Sequence, residues 1–438
     1  MDENPMENES VLKEPIEKNN HKVINAWAFF DWANSAYALV ISTAIFPIYF
    51  IQFTPDWVSI GGRNISNSAL YSYAVSASYL IIAFISPLLS GIADYGGKRK
   101  FFLRMFTLVG SIACITLYFF KGEPQLWLGT SAFILATIGF AGGIVFYDAY
   151  LPLIVTEDRY DKVSAKGFSY GYIGSVILLI GILVMIQQPQ WFGIQDAQLP
   201  ARIGFVMVGL WWIGFAQISF KYLPKDSPVK MGLRMMSKGY NEVKGVFIQL
   251  KSQPWLQRFL LAFFFYSAGV QTILYLATVF AEKELSFVAS ELIILVLILQ
   301  LVAIGGAYFF AWVSSKTSNK SSLSIMLIIW IFICAGAYFT TGKLFFYVLA
   351  AMVGMVMGGI QSLSRSSYSK MLKDKNKDTT SYFSFYDVLY KVAIVVGTFS
   401  FGFVDNLTGN MRYSVLVLAA FFIIGLLLLR SVKAVEIS

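Results

Sequence analysis

Residues 292–313 read LIILVLILQLVAIGGAYFFAWV, an uncharged run between Glu291 and Lys316. At about 1.5 Å per residue a helix of that length reaches about 33 Å, enough to cross the ~30 Å hydrocarbon core of a bilayer. In lipid a helix closes its own backbone hydrogen bonds, so such a run is stable there. The stretch is one of a dozen. Comparable runs occupy 24–52, 67–93, 99–120, 125–150, 165–188 and 202–223, and then 257–281, 288–313, 321–341, 343–369, 381–404 and 412–434. Six and six around a longer gap predicts an all-α polytopic membrane protein, with twelve transmembrane helices in two six-helix halves. The expected organisation is a tail over 1–23, an N-terminal half over 24–223, a linker over 224–256 and a C-terminal half over 257–438.

Composition agrees, since 57% of residues are hydrophobic and only 13% charged, too much apolar surface for a soluble chain to hide. The net charge of +9 is distributed unevenly. Lys98, Arg99, Lys100 and Arg104 stand together. Lys225, Lys230, Arg234, Lys238, Lys244 and Lys251 fill the linker, and Arg365, Lys370, Lys373, Lys375 and Lys377 form a third cluster. The alternate loops hold little more than Arg63, Lys121, Arg202, Lys283, Lys343 and Arg412. By the positive-inside rule the basic loops and both termini are expected in the cytoplasm, and the charge is not that of a nucleic-acid binder. The two cysteines, Cys114 and Cys334, lie deep in apolar runs, and His21 is the one histidine. Neither a disulfide framework nor a metal site is expected, nor any cofactor. The first 22 or so residues are polar and acid-rich, so no cleavable signal is expected and the first apolar run is read as a true span.

Within the linker, Leu233, Met236, Tyr240, Val243, Phe247 and Leu250 recur at helical steps, with Arg234, Lys238 and Lys251 on other faces. This reads as an amphipathic helix on an anionic membrane surface, or else as a solvated tether. Cys114 and Cys334 are separated by 220 residues, as are Lys100 and Lys320, a faint trace of duplication.

The loop after the second span reads Ser90-Gly91-Ile92-Ala93-Asp94-Tyr95-Gly96-Gly97-Lys98-Arg99-Lys100. An acid closes one helix, glycines permit a tight reversal, and basic residues hold the next helix start at the headgroups. It resembles the signature loop of the major facilitator superfamily, with Ser90 where that pattern has glycine. A second copy near Ala311 to Lys320 has Ser314 in place of the acid and Thr317 in place of glycine. Trp27-Ala28-Phe29-Phe30-Asp31-Trp32-Ala33-Asn34-Ser35-Ala36-Tyr37 with Phe46-Pro47-Ile48-Tyr49-Phe50 looks like the first span of the superfamily's vacuole-effluxer-like branch. That branch includes the fungal autophagy-related vacuolar amino-acid exporter and bacterial relatives. Phe146 to Pro152 resembles its fourth-span end, as do Ser164, Gly167, Gly171, Tyr172 and Gly174 its fifth-span start, and Gly359, Gln361, Leu363, Ser364, Arg365 and Ser366 its tenth-span end. Ser267-Ala268 stands where relatives carry a Tyr-Asp-Gly type sequence, and Thr398 where they carry proline; the first departure bears on substrate and coupling ion. The resemblance implies alternating access by two rocking halves, with spans one and eleven lining a central cavity. It also implies that Asp94, Gly97, Lys98 and Arg99 act on conformational switching.

Charges inside a bilayer cost ~2.5–3.5 kcal/mol each on insertion scales, so they face a cavity or a partner. Asp31 lies about 10 Å into the first span at 1.5 Å per residue, with Asn34, Ser35 and Ser42 read on its face. Either a cavity role or a cap fits it. Asp387 and Lys391 are spaced i,i+4 and pair along one helix, as part of the cavity or as a structural pin. Asn34, Tyr37, Gln271, Tyr275 and Gln361 supply neutral hydrogen bonding, and Asp148 with Arg365 are gate candidates or solvated helix ends. Gly139, Gly142 and Gly143, like Gly167, Gly171 and Gly174, read as close-packing positions.

The function expected is secondary transport or efflux of a small polar, amino-acid-like solute, driven or not by protons at Asp31. The competing reading is a scaffold or receptor that keeps the fold without transporting. An enzyme is not expected, because neither a nucleotide-binding loop nor a catalytic constellation occurs. The remaining expectations are a monomer in contact with lipid, in a bacterial inner membrane.

Overall fold

Asn20 opens the first helix: its side-chain oxygen accepts from the backbone N–H of Lys22 at 3.0 Å and of Val23 at 3.4 Å. From there α1 (His21–Ala36) runs through a π-helical stretch (Tyr37–Ile45) into α2 (Phe46–Phe53), whose start carries Pro47. The wider turn is marked by Thr43 Oγ1, which donates to the carbonyl of Ala38 at 2.8 Å. The computed structural model describes residues 17–432 apart from 56, 61–62, 67–69, 72–73, 76, 86–88, 90–96, 227–243, 246–247, 249, 251–252, 288, 373–378 and 409. Asp94 and most of the amphipathic linker stretch lie outside the described residues.

Among the described residues, ten helices are long and apolar enough to cross a membrane. Eight of them overlap α3 (Arg99–Thr116), α4 (Leu126–Asp148), α6 (Leu199–Tyr222), α7 (Pro254–Leu285), α8 (Ala289–Lys316), α9 (Asn319–Phe339), α10 (Lys343–Met371) and α12 (Met411–Arg430), and the others belong to α1–α2 and to α5 (Tyr160–Gln187). A further helix, α11 (Thr379–Thr408), is 30 residues long and carries Asp387, Lys391 and Asp405. The second apolar run is described in part and is helical at 77–85. This accords with the twelve expected helices. One element goes beyond the hydropathy pattern: the segment between the first two apolar runs holds an antiparallel hairpin of β1 (Trp57–Ile60) and β2 (Arg63–Ser66). A Gly-Gly pair separates two short strands in the sequence, a hairpin signal that lay hidden at the edge of a stronger hydropathy pattern.

Two hydrophobic cores form, one built almost wholly from residues between Ile24 and Leu223, the other mainly from Leu250 to Val432. The duplication is visible in how each half is closed. Lys100 Nζ donates to the carbonyl of Leu223 at 2.8 Å, tying the start of α3 to the end of α6. Lys320 Nζ donates to the carbonyl of Arg430 at 2.8 Å, tying α9 to α12 in the same way. At the far ends, Arg202 reaches the carbonyl of Tyr118 at 2.6 Å, and Arg412 that of Tyr338 at 3.0 Å. Asp226, just beyond α6, accepts from the N–H groups of Lys100 and Phe101 at 2.8 Å each and so caps α3, while burial pushes its carboxyl above the usual value.

Glycine lets α5 approach α1. A Cβ at Gly171 would stand 2.4 Å from Ser35 Oγ and one at Gly174 2.8 Å from the Trp32 carbonyl, so any side chain there would wedge the two helices apart.

Candidate central cavity

Between the two halves lies a cavity of about 270 Å³. Its walls take the charged residues that the sequence places inside the membrane. On α1, Asp31 is followed one turn later by Ser35, whose hydroxyl donates to Asp31 Oδ1 at 3.4 Å. From α4, Tyr147 donates to Asp31 Oδ2 at 3.1 Å. Asp148, at the end of α4, meets Arg365 of α10, Nη1 to Oδ1, at 3.0 Å; the same nitrogen lies 3.8 Å from Asp31 Oδ2. Arg365 also donates to Ser164 of α5 twice, Nε to Oγ and Nη2 to the carbonyl, each at 2.9 Å. Its guanidinium lies 4.3 Å from the ring of Phe168, 4.8 Å from Trp27 and 5.4 Å from Tyr147. Those rings exclude water from the ion pairs and add a cation–π attraction of their own. One cation from the C-terminal half is therefore held by three helices of the N-terminal half.

Further along, Lys391 of α11 pairs with Asp387 by a direct hydrogen bond and lies 3.5 Å from the carbonyl of Ala141 on α4. Tyr172 of α5 donates to Gln361 Oε1 at 2.8 Å, Tyr266 of α7 meets Ser364 Oγ at 2.7 Å, and Tyr79 meets Tyr275 at 3.1 Å. Asp31, Gln271, Tyr275, Gln361, Asp387 and Lys391 all line the cavity, together with Asp148 and Arg365.

Two residues expected in the cavity do not line it. Asn34 is fully buried, with neither amide atom partnered among the described residues, and Tyr37 bonds Thr137 of α4 at 2.7 Å under Trp212 and Phe140. The reason is helical phase: the lining follows Asp31, Ser35, Ala38, Leu39 and Ser42, and residues three and six beyond Asp31 turn into the N-terminal half. Gly97, Lys98 and Arg99 of the loop after the second span lie outside the cavity at the start of α3, Gly97 with a φ of 61° that favours glycine.

A second polar cluster was not foreseen. At the end of the bundle that carries the basic loops, Asp161 at the start of α5 receives four groups from the other half. Asn319 Nδ2 donates at 2.9 Å, Lys370 Nζ at 3.1 Å and Ser314 Oγ at 3.3 Å, and Ser366 Oγ joins them. Asn319 further donates to Ser367 at 3.0 Å. Ser314 is the residue that replaces the acid of the decayed second loop, so the N-terminal half supplies, across the interface, the carboxylate that the loop lacks. An acid at the first turn of a span is the one signal legible in the chain, and it does not by itself pair Asp161 with Ser314.

Among the described residues no group of His, Cys, Asp and Glu is arranged to hold a metal ion.

The chain matches the model of the family described as "Vacuole effluxer Atg22 like" over residues 19–436. It is 31% identical over 408 residues to the uncharacterized MFS-type transporter YxiO of Bacillus subtilis, covering 92% of this chain and 93% of that protein. It is 23% identical over 482 residues to autophagy-related protein 22 of Kluyveromyces lactis, covering 96% and 94%. Its fold is similar to that of the proton:xylose symporter XylE, with a TM-score of 0.71 at 13% identity over 95% of this chain and 97% of the other. The same holds for the transporter FucP in its outward conformation, at a TM-score of 0.68 and 13% identity over 94% and 98%. These are membrane transporters of the major facilitator fold and not enzymes. With the two-half architecture, the charged cavity between the halves and the family match over nearly its whole length, the chain belongs to the vacuole effluxer Atg22-like family of multi-pass membrane transporters.

Proposed function

We propose that the protein is a secondary transporter that exports a small, amino-acid-like solute by alternating access, with a proton carried at Asp31. The observation that supports this most is the charge balance of the cavity. Among the described residues, Asp31, Asp148 and Asp387 face it with Arg365 and Lys391 as the cations, so one carboxylate is in excess. Asp148 has Arg365 at 3.0 Å and Asp387 has Lys391, which leaves Asp31 at 3.8 Å from a shared guanidinium. An under-compensated carboxylate in a low-dielectric site takes a proton or the ammonium group of a solute. Either event weakens its claim on Arg365, which ties the two halves. Occupancy of the cavity and the opening of one end are thereby linked.

The basic loops and both termini would face the cytoplasm of a bacterial cell, by the positive-inside asymmetry, and the acting unit would be a monomer surrounded by lipid. Counterflow of labelled amino acids in proteoliposomes, with and without an imposed pH gradient, tests the reading. Exchange that becomes uphill with the gradient is expected. A folded protein with no counterflow for any small polar solute would favour the scaffold reading instead.

A further inference from the structure

Apart from Asp31, which only shares Arg365, the charged groups of the central cavity are committed to one another, Arg365 to Asp148 and Lys391 to Asp387. What the cavity offers beyond them is uncharged. Ser267 and Gln271 lie one turn apart on α7, Tyr386 and Tyr390 one turn apart on α11, and all four line the cavity. Gln271, only 5% exposed, Ser267 and Tyr386 are buried and Tyr390 is half-buried, and the polar groups of these four side chains face the cavity with no hydrogen-bond partner among the described residues. Phe263, one turn before Ser267, stacks on Tyr386 at 4.0 Å and on Tyr390 at 6.1 Å, forming a flat apolar wall beside these groups.

A solute that fills the cavity takes water away from these four groups, and a polar group left without a partner is costly, so the solute that fits best is one that bonds them. A carboxamide or hydroxyl does so while its carbon skeleton lies on the Phe263–Tyr386 stack. A hydrocarbon group would leave the amide and hydroxyls stranded. A second carboxylate or ammonium would be desolvated against four groups that carry no charge of their own. A site built to bond a polar group discriminates strongly against an analogue lacking it, because its own buried groups go unpaired.

We infer that this α7–α11 wall is a specificity subsite, selecting solutes whose side group is uncharged and hydrogen-bonding, a carboxamide or a hydroxyl, over apolar or charged ones of similar size. Gln271 and Ser267 are its principal readers. The inference rests on the reading of the cavity as an amino-acid-like solute site.

The test is thermal stabilisation of the purified full-length protein in detergent by L-glutamine, L-serine, L-leucine, L-glutamate and L-lysine, with mannitol as an uncharged polyol. Glutamine or serine is expected to stabilise at a concentration at least about 10-fold lower than leucine, glutamate or lysine, a ratio within the range for stranding one or two buried polar groups. Gln271→Leu is expected to erase that preference, and Ser267→Ala to reduce it; the wild-type ranking stands as evidence if either variant folds poorly. Leucine acting as well as glutamine on the wild type, or Gln271→Leu keeping the preference unchanged, would overturn the subsite. Stabilisation by mannitol with none by any amino acid would overturn the amino-acid reading while supporting the uncharged subsite. No stabilisation by any probe would overturn both.

Discussion

The Asp161 cluster gives the sharpest handle on alternating access. Among the described residues its carboxylate is the one N-terminal-half acceptor for Asn319, Ser314, Ser366 and Lys370 at the basic end, with 16% of the side chain exposed and Lys370 only 9%. Asp161→Asn keeps the shape, leaves one acceptor oxygen and turns a donor either toward Asn319 and Ser366, which share Oδ1, or toward Lys370 and Ser314, which share Oδ2. Two charge-assisted bonds at ~1.5 kcal/mol each would be forfeited, and water reaching the partly exposed site would return some of that, leaving ~2 kcal/mol. That is about 30-fold in the equilibrium between closure and opening of this end. The readout is a cysteine at Ser42, which lines the cavity and is partly exposed, labelled by an impermeant thiol reagent in right-side-out and inside-out vesicles. Cys114 and Cys334 are fully buried and stay silent. The ratio of outside to inside labelling is expected to fall by about 30-fold in Asp161→Asn, with partial recovery in Asp161→Glu. Lys370→Gln should give a smaller fall and add little to Asp161→Asn, since both break one contact. A ratio that moves by less than about threefold would refute the argument that this cluster holds the basic end shut.

Lys391→Met should damage stability or transport more than Lys391→Met with Asp387→Asn, because removing one member of a buried pair strands the other at ~3–5 kcal/mol; equal defects in denaturation and uptake assays would remove the pair from the cavity's energetics. Asp31→Asn should retain solute exchange but lose pH-driven accumulation, and full accumulation in proteoliposomes would dismiss Asp31 as the proton carrier. Arg365→Lys should impair gating even though charge is kept, since a single ammonium cannot serve Asp148 and both oxygens of Ser164 together; transport at wild-type rate would count against the fork. Gly171→Leu should cost folding or expression, because Ser35 Oγ stands 2.4 Å from where a Cβ would lie; a normally expressed, active variant would show that α1 and α5 separate easily.

The fold was legible because hydropathy is a long-range, additive signal: each apolar run needs only its own residues to declare a span. The intramembrane charges were legible for the same reason, since any ionised group there demands a partner. What the sequence could not supply was azimuth. Asn34 and Tyr37 look polar enough to join Asp31, but helical phase sends them inward, and the π-helical stretch after Ala36 resets the phase again. Nor could it supply partners across the interface. Asp161 meets Asn319 across 158 residues and Lys370 across 209, distances over which no periodicity carries information. The tyrosines that organise the cavity, Tyr147, Tyr172 and Tyr266 among them, were lost in the general excess of aromatics.

The internal repeat explains why the halves attract at all. Two copies of one half related by a pseudo-two-fold axis present the same positions to each other, so an ionised residue near the axis would at first face its own like charge. Asp148 and Arg365 are 217 residues apart, close to the 220 that separates Lys100 from Lys320 and Cys114 from Cys334. They stand near the ends of equivalent helices, α4 and α10, and carry opposite signs. Lys100 and Lys320, each spent on closing its own half, have had no reason to diverge. The same logic covers the decayed loop: with Asp161 already facing it from α5, an acid at Ser314 would place two carboxylates together, and a hydroxyl that donates to Asp161 replaces repulsion with a bond. Ser314→Asp is therefore expected to weaken closure of the basic end as much as Asp161→Asn does, and the double variant Ser314→Asp with Asp161→Asn to restore much of it. Labelling at the Ser42 cysteine reads both; a single Ser314→Asp that closes the basic end more tightly would contradict the account of the lost acid.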